Sequence, residues 1–370
     1  MSVNSYPFPQ GRQVLSAIKP YVPGKPLEEA EREIGLKNMV KLASNENPLG
    51  PSPLALKALQ DRAGNVHQYP DSSCSSLRLA LAGHLGLNPD NLLLGNGSDE
   101  ILKMIALAYL TPEHQAVMAA PTFSEYEFVV LVAGAVARKV ALKDFTHDLE
   151  AMLAEINPLT KLVFICNPNN PTGTIVTKAA LDRFLAVVPP EVLVVLDEAY
   201  REYVTDPGYP DGMEYIRQGQ PNLIVLRTFS KIYGLAGLRV GYAAAAREVA
   251  AWINRVREPF NVNSLAQAAA IAALGDFRHL DQSCQVNEAG KNYLYNKLEE
   301  LGLAYIPTQA NFVLINVKEN SRRVYDRLLQ RGVIVRAGEP FGLDQWIRVT
   351  VGTAEQVQRF FHALREIMVL

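Results

Sequence analysis

LIVLRTFSKIYGLAGLRVGY, residues 223–242, opens on an apolar run and turns polar at Arg227. Residues 223–226 carry no charge and no alternation, the pattern of a strand buried on both faces of a parallel sheet. Three earlier stretches have the same shape, an apolar run followed by a polar turn: LLLGNGSDE (92–100), KLVFICNPNNPTG (161–173) and VLVVLDEAY (192–200). Residues 116–120 form a further short run. Amphipathic stretches at 100–110 and 177–187 lie between them. Strands alternating with helices predict crossover units, hence an α/β fold with a doubly wound, mostly parallel sheet from about 77 to 246. The pattern changes near Asn263. A long helical region runs through Leu301, followed by FVLINV, VIVRAG and WIRVTV and then a helix over 354–368, which reads as a smaller α+β domain. The predicted division is an N-terminal arm with part of the small domain at 1–45, a large domain at 46–262 and a small domain at 263–370. Five prolines between Pro7 and Pro26 predict that the arm is extended rather than one long helix.

Composition excludes several functions. The 370 residues hold 36 Lys and Arg against 38 Asp and Glu, so at a net charge of −2 no global field draws the chain to nucleic acid or an anionic membrane. A 48% apolar content supports a packed core. No run reaches the roughly 20 apolar residues of a membrane span, and the N-terminus lacks the pattern of a signal peptide. Cys74, Cys166 and Cys284 have neither disulfide nor zinc spacing, so no metal is expected and the thiols fit a reducing cytoplasm.

In an open α/β sheet, ligands bind beyond the carboxyl ends of the strands. The polar residues there form an unusual series: Ser98 and Asp99 at a helix start, Asn170 in a turn, Asp197 and Tyr200 three residues apart, then Thr228, Ser230, Lys231 and Arg239. The glycines at 234, 237 and 241 follow the lysine and do not match a dinucleotide-binding turn. Singly, each residue has a plain structural reading as a helix cap, turn former or surface lysine. Together they match the needs of pyridoxal phosphate. Its aldehyde takes a lysine amine, its pyridine nitrogen a carboxylate, its ring oxygen hydrogen-bond donors, and its phosphate a helix N-terminus with hydroxyls and an arginine.

The chain resembles the fold-type I pyridoxal-phosphate transferases, in the aminotransferase subgroup that includes the histidinol-phosphate aminotransferases. KLASNENPLGPSP, QYPD, GNGSDE, APTFSEY, NPNNPTG, DEAYREY, TFSKIYGLAGLRVGY and IRVTVG follow that family's order. The resemblance implies that Lys231 holds the cofactor and shuttles the proton, Asp197 pairs with the pyridinium nitrogen, and Tyr200 and Asn170 serve the ring oxygen. It implies that Phe123 stacks on the ring, where many relatives have Tyr, and that Ser98, Asp99, Thr228, Ser230 and Arg239 surround the phosphate. Tyr69 would reach the phosphate of a partner's cofactor, making a homodimer with composite sites. Arg336 and Arg348 would bind the substrate's anionic group, with Tyr21 and Asn47 closing the site.

The expected reaction converts L-histidinol phosphate and 2-oxoglutarate to imidazole acetol phosphate and glutamate, a step of histidine biosynthesis in the cytoplasm. The alternative is a phenylalanine or tyrosine aminotransferase on the same scaffold. A threonine-phosphate decarboxylase and a non-catalytic regulator rank below it, the latter because no basic DNA-binding segment precedes the fold.

Overall fold

The computed structural model describes residues 11–18 and 26–368. A short strand β1 (Val40–Lys41) precedes the seven strands of the larger sheet. These are β2 (Leu92–Gly95), β3 (Gln115–Ala120), β4 (Val136–Ala141), β5 (Thr160–Cys166), β6 (Leu193–Asp197), β7 (Leu223–Thr228) and β8 (Gly241–Ala245). Their order is β2-β8-β7-β6-β5-β3-β4, and only β8 runs antiparallel to its neighbours. The apolar runs read as strands are strands, and β4 and β8 complete the sheet.

Alternate residues of one strand enter opposite cores, which is what a doubly wound sheet requires. Val163, Ile165, Val194 and Leu196 pack with the helices Pro53–Arg62, Ser75–Leu85 and Lys178–Val187 on one face. Leu162, Phe164, Leu193 and Val195 pack with Ser98–Tyr109 and Glu125–Ala133 on the other.

The smaller lobe has the antiparallel sheet β12-β13-β10-β9, from β9 (Tyr305–Ile306), β10 (Phe312–Asn316), β12 (Arg336–Ala337) and β13 (Trp346–Thr350). Between them, β11 (Val333–Ile334) pairs in parallel with β1, so the N-terminal segment joins this lobe. The helices Ser321–Gln330 and Ala354–Met368 and much of Phe277–Glu300 cover its core.

Two elements depart from the sequence reading. The arm contains a helix, Leu27–Ile34, which starts after Pro26 and stops at Gly35 with φ +76°. Proline tolerated at a helix start and glycine at its end explain both boundaries. The helix Ser264–Leu274, set by the sequence reading in the small domain, packs against Pro53–Arg62 and Ser75–Leu85 of the large one. Its Ala266, Ala269, Ala270 and Ala273 are buried in the larger core, where small side chains allow close helix approach.

Candidate active site

Cys166, Asp197 and Thr228 are the last residues of β5, β6 and β7, so the sheet delivers their side chains to one edge. A pocket there is lined by Ser98, Asp99, Phe123, Asn170, Asp197, Tyr200, Thr228, Ser230, Lys231, Arg239, Arg336 and Arg348. All twelve were singled out in the sequence.

Asp197 is 3% exposed. It accepts hydrogen bonds from Tyr126 Oη at 2.8 Å and from the Ala199 N–H at 3.1 Å, and no ion pair reaches it among the described residues. Burial raises its carboxyl to about 6 against those two hydrogen bonds. Lys231 Nζ lies 3.5 Å from the Ser44 carbonyl oxygen and 5.5 Å from the centre of the Tyr200 ring. Burial, then the neighbouring Arg348 charge, lowers its amine to about 8.

The helix Ser98–Tyr109 starts at Gly97, φ +80°, with no side chain capping its first N–H groups. An exposed helix N-terminus is an anion site when other donors converge on it. Here Ser230 Oγ and Arg239 do so: Arg239 Nη1 is 3.4 Å from Ser230 Oγ, and Nη2 is 2.8 Å from Asp99 Oδ2. A Cβ on Gly97 would fall 2.5 Å from Arg239 Nη2, so a side chain there would displace the guanidinium from this position. Asp99 therefore acts through its carboxylate on Arg239, while its backbone N–H belongs to the helix start.

Tyr200 is buried, and its hydroxyl accepts from Asn45 Nδ2 at 3.0 Å. The Asn45 oxygen accepts in turn from Thr350 Oγ1 at 3.0 Å, which fixes the amide's orientation. The Tyr200 proton is left to serve the pocket. Burial pushes the phenol up, so it stays protonated. Asn170 Oδ1 accepts from Arg348 Nη1 at 2.5 Å, so the donor end of the amide is the one available to a ligand. Arg348 also donates to the Ala43 carbonyl at 2.7 Å and lies between the rings of Phe312 and Phe341. Arg336 stands directly opposite Arg348 in the β12–β13 register, and no ion pair engages it among the described residues.

Two sequence-predicted residues lie elsewhere. Asn47 is buried and donates to the Ile232 carbonyl at 2.6 Å and to Ser283 Oγ at 2.9 Å, bracing the Lys231 turn rather than lining the pocket. Tyr69 is 83% exposed and stacks on Phe260 at 4.7 Å. Tyr21 lies outside the described residues. The sequence reading missed Asn45, Ser44, Ser124 and Phe341 in the lining, and Tyr126 on Asp197.

The donor set suits pyridoxal phosphate on independent counts. Asp197 is a buried carboxylate without a paired cation, which a protonated pyridine N–H would supply. The uncapped helix start with Ser230 and Arg239 suits a phosphate, and Lys231 suits an aldehyde carbon. The sequence pattern described as aminotransferase class I and II matches residues 37–364. The chain is 58% identical to the histidinol-phosphate aminotransferase of Moorella thermoacetica, over 97% of this chain and 93% of that one. It is 49% identical to histidinol-phosphate aminotransferase 2 of Carboxydothermus hydrogenoformans, over 96% and 99%. The solved structure of histidinol-phosphate aminotransferase from Sinorhizobium meliloti in complex with pyridoxal-5'-phosphate is similar at TM-score 0.90 and 29% identity, covering 100% of this chain and 99% of that one. By its sequence pattern and its relatives, this chain belongs to the class I and II aminotransferases.

Proposed function

We propose that the chain is a pyridoxal-phosphate-dependent histidinol-phosphate aminotransferase, moving the amino group of L-histidinol phosphate to 2-oxoglutarate. It works in the cytoplasm, in histidine biosynthesis, as a homodimer whose partner's Tyr69 completes each site. The 58% identity to a relative of that name across nearly the whole chain carries the reading. The paired Arg336 and Arg348 at the pocket support an anionic substrate.

When bound, pyridoxal phosphate supplies an aldehyde carbon that captures amines and a ring that delocalises the electron pair left by a departing Cα proton. Asp197 holds a proton on the ring nitrogen, which keeps that ring electron-poor. The Lys231 amine, lowered to about 8, is deprotonated often enough near neutral pH to take the Cα proton and return it. Tyr200 and Asn170 donate to the ring oxygen. Phe123 packs on the ring face, and Ser98, Asp99, Thr228, Ser230 and Arg239 anchor the phosphate end. Arg348, held in place by Asn170 and the Ala43 carbonyl, would bind the substrate's anionic group.

A competition assay tests the donor. A phosphate can engage both arginines, whereas a single carboxylate is served by Arg348 alone, and charge-assisted bonds contribute about 1.5–3 kcal/mol each. Histidinol phosphate is expected to give a higher kcat/KM than phenylalanine or tyrosine, and Arg336→Ala to reduce it about tenfold or more. Aromatic amino acids that win the competition, with turnover indifferent to Arg336→Ala, would make the chain an aromatic aminotransferase.

A further inference from the structure

The turn at 143–148 contributes no residue to the pocket lining, yet its hydrogen bonds end on the 169–174 loop that carries Asn170, and one of its rings meets the strand that carries Arg348. A bridge between Lys143 and Thr146 closes it, and Asp144 and Phe145 inside it take φ of +49° and +62°. A bulky aromatic residue in the left-handed region persists only where surrounding contacts over-determine it. The Phe145 carbonyl accepts from Thr174 Oγ1 at 2.8 Å, and its ring meets Trp346 edge-on at 5.1 Å, at the start of the strand that carries Arg348. His147, 7% exposed, places Nε2 3.2 Å from Asn169 Oδ1.

The hydrogen bonds around Asn169 decide the tautomer of that histidine. Asn169 Nδ2 donates to the Pro121 carbonyl at 3.2 Å and to Thr172 Oγ1 at 2.9 Å, while Oδ1 accepts from Thr122 Oγ1 at 2.7 Å. An amide oxygen cannot donate, so the facing His147 Nε2 must carry the proton. Burial lowers this imidazole to about 4, which leaves it neutral with Nδ1 bare. Threonine hydroxyls can donate or accept by rotating. The one partner with a fixed role is therefore the Pro121 carbonyl, which demands an N–H and so turns the Asn169 oxygen toward His147, whose Nε2–H adds a second hydrogen bond to it.

We infer that His147 is a positioning residue for the cofactor site: its Nε2–H completes the hydrogen bonding of the buried Asn169 amide, and through that amide it steadies the loop bearing Phe123 and the loop bearing Asn170. The inference rests on the reading that this pocket takes pyridoxal phosphate. Asn169 is fully buried, so a flipped or under-bonded amide would be expensive and would release the 121–123 turn from the 169–174 turn. Phe123, which would pack on the ring face, and Asn170, which would serve the ring oxygen, would then lose their shared register.

The test uses the full chain with His147→Leu, His147→Asn and His147→Gln. Glutamine places an N–H near the Nε2 position, and asparagine reaches only the Nδ1 position. Pyridoxal phosphate affinity is measured by fluorescence quenching of the cofactor-free protein, ring orientation by the visible circular dichroism of bound cofactor, and folding by thermal unfolding. The Leu and Asn variants are expected to bind the cofactor about tenfold more weakly with reduced dichroism, and the Gln variant to stay within about threefold of the parent. A Leu variant that matches the parent in affinity and dichroism overturns the role of His147. So does a folded Gln variant as impaired as Leu, since the effect would then be packing. A parent that takes up no pyridoxal phosphate overturns the pocket reading and this inference with it.

Discussion

Asp197 shows how a single residue couples function to stability. Its folded value of about 6 lies above the ordinary 3.8, so in cofactor-free protein it favours the fold most below pH 4. That contribution is lost as pH rises through 6. Two units at about 1.4 kcal/mol each give a burden of about 3 kcal/mol at neutral pH. Cofactor-free Asp197→Asn is therefore expected to unfold at a higher temperature than the parent at pH 8, with the gap closing below pH 4. Its turnover should fall by orders of magnitude, because the charge acts mainly in the transition state. Equal unfolding temperatures at pH 8 would show that the carboxylate is not strained. Lys231→Ala should bind cofactor without the covalent link and lose nearly all turnover, and borohydride should then fail to fix the cofactor to the protein. Both residues are legible in the sequence: Asp197 ends an apolar run with a costly charge, and Lys231 follows another such run within a series of polar residues that matches one cofactor. Asn45 and Tyr126 are not, since their partners Tyr200 and Asp197 are 155 and 71 positions away and meet them only after folding.

At the scale of elements, the helix start at Gly97 is where backbone geometry sets the chemistry. Two penalties coincide in Gly97→Ala: a backbone at φ +80° and ψ 169° that is essentially glycine's alone, costing about 1–3 kcal/mol, and a Cβ pressed against Arg239. Pyridoxal phosphate affinity is expected to fall by about tenfold or more, while inorganic phosphate added to the cofactor-free protein should protect the parent against unfolding better than the variant. Unchanged affinity would remove this helix start from the phosphate site. The same scale separates legible strands from hidden ones. β5, β6 and β7 are buried on both faces and read as unbroken apolar runs. β4 lies at the sheet's edge with most of its residues accessible, so VARKVA carries no such run. β8 is GYAAA, whose small residues do not favour a strand by themselves. Its Gly241 is required by the packing: a Cβ there would lie 2.7 Å from the Ser98 nitrogen, at the start of the helix Ser98–Tyr109. The region 263–301 reads as one helical stretch but divides at Gly275, where the Asp276 side chain caps the second helix by accepting from the His279 N–H at 3.1 Å.

At the scale of the whole molecule, the edge that carries Tyr69 is exposed yet firmly built. The Asp71 carboxylate is held well below its usual range by Ser73 and Ser75, and Arg257 Nη1 donates to the Ser72 carbonyl at 2.6 Å. Tyr69 and Phe260 stack on this scaffold with most of the tyrosine ring in solvent. Ordering an exposed aromatic pair has a cost in entropy that a monomer does not recover, whereas a twofold dimer would bury it. If each Tyr69 hydroxyl serves the partner's phosphate site, each active site needs Lys231 from one chain and Tyr69 from the other. A Lys231→Ala chain paired with a Tyr69→Phe chain would then form one site with both lesions and one with neither. Random mixing makes half of the dimers mixed, and half of their sites intact, so activity should recover to about a quarter of the parent's. Subunit exchange can be followed with two differently tagged chains, and each single variant must first be shown to be impaired. Mixed dimers with no recovery above the two parents' average would place Tyr69 and Lys231 in the same site of one chain.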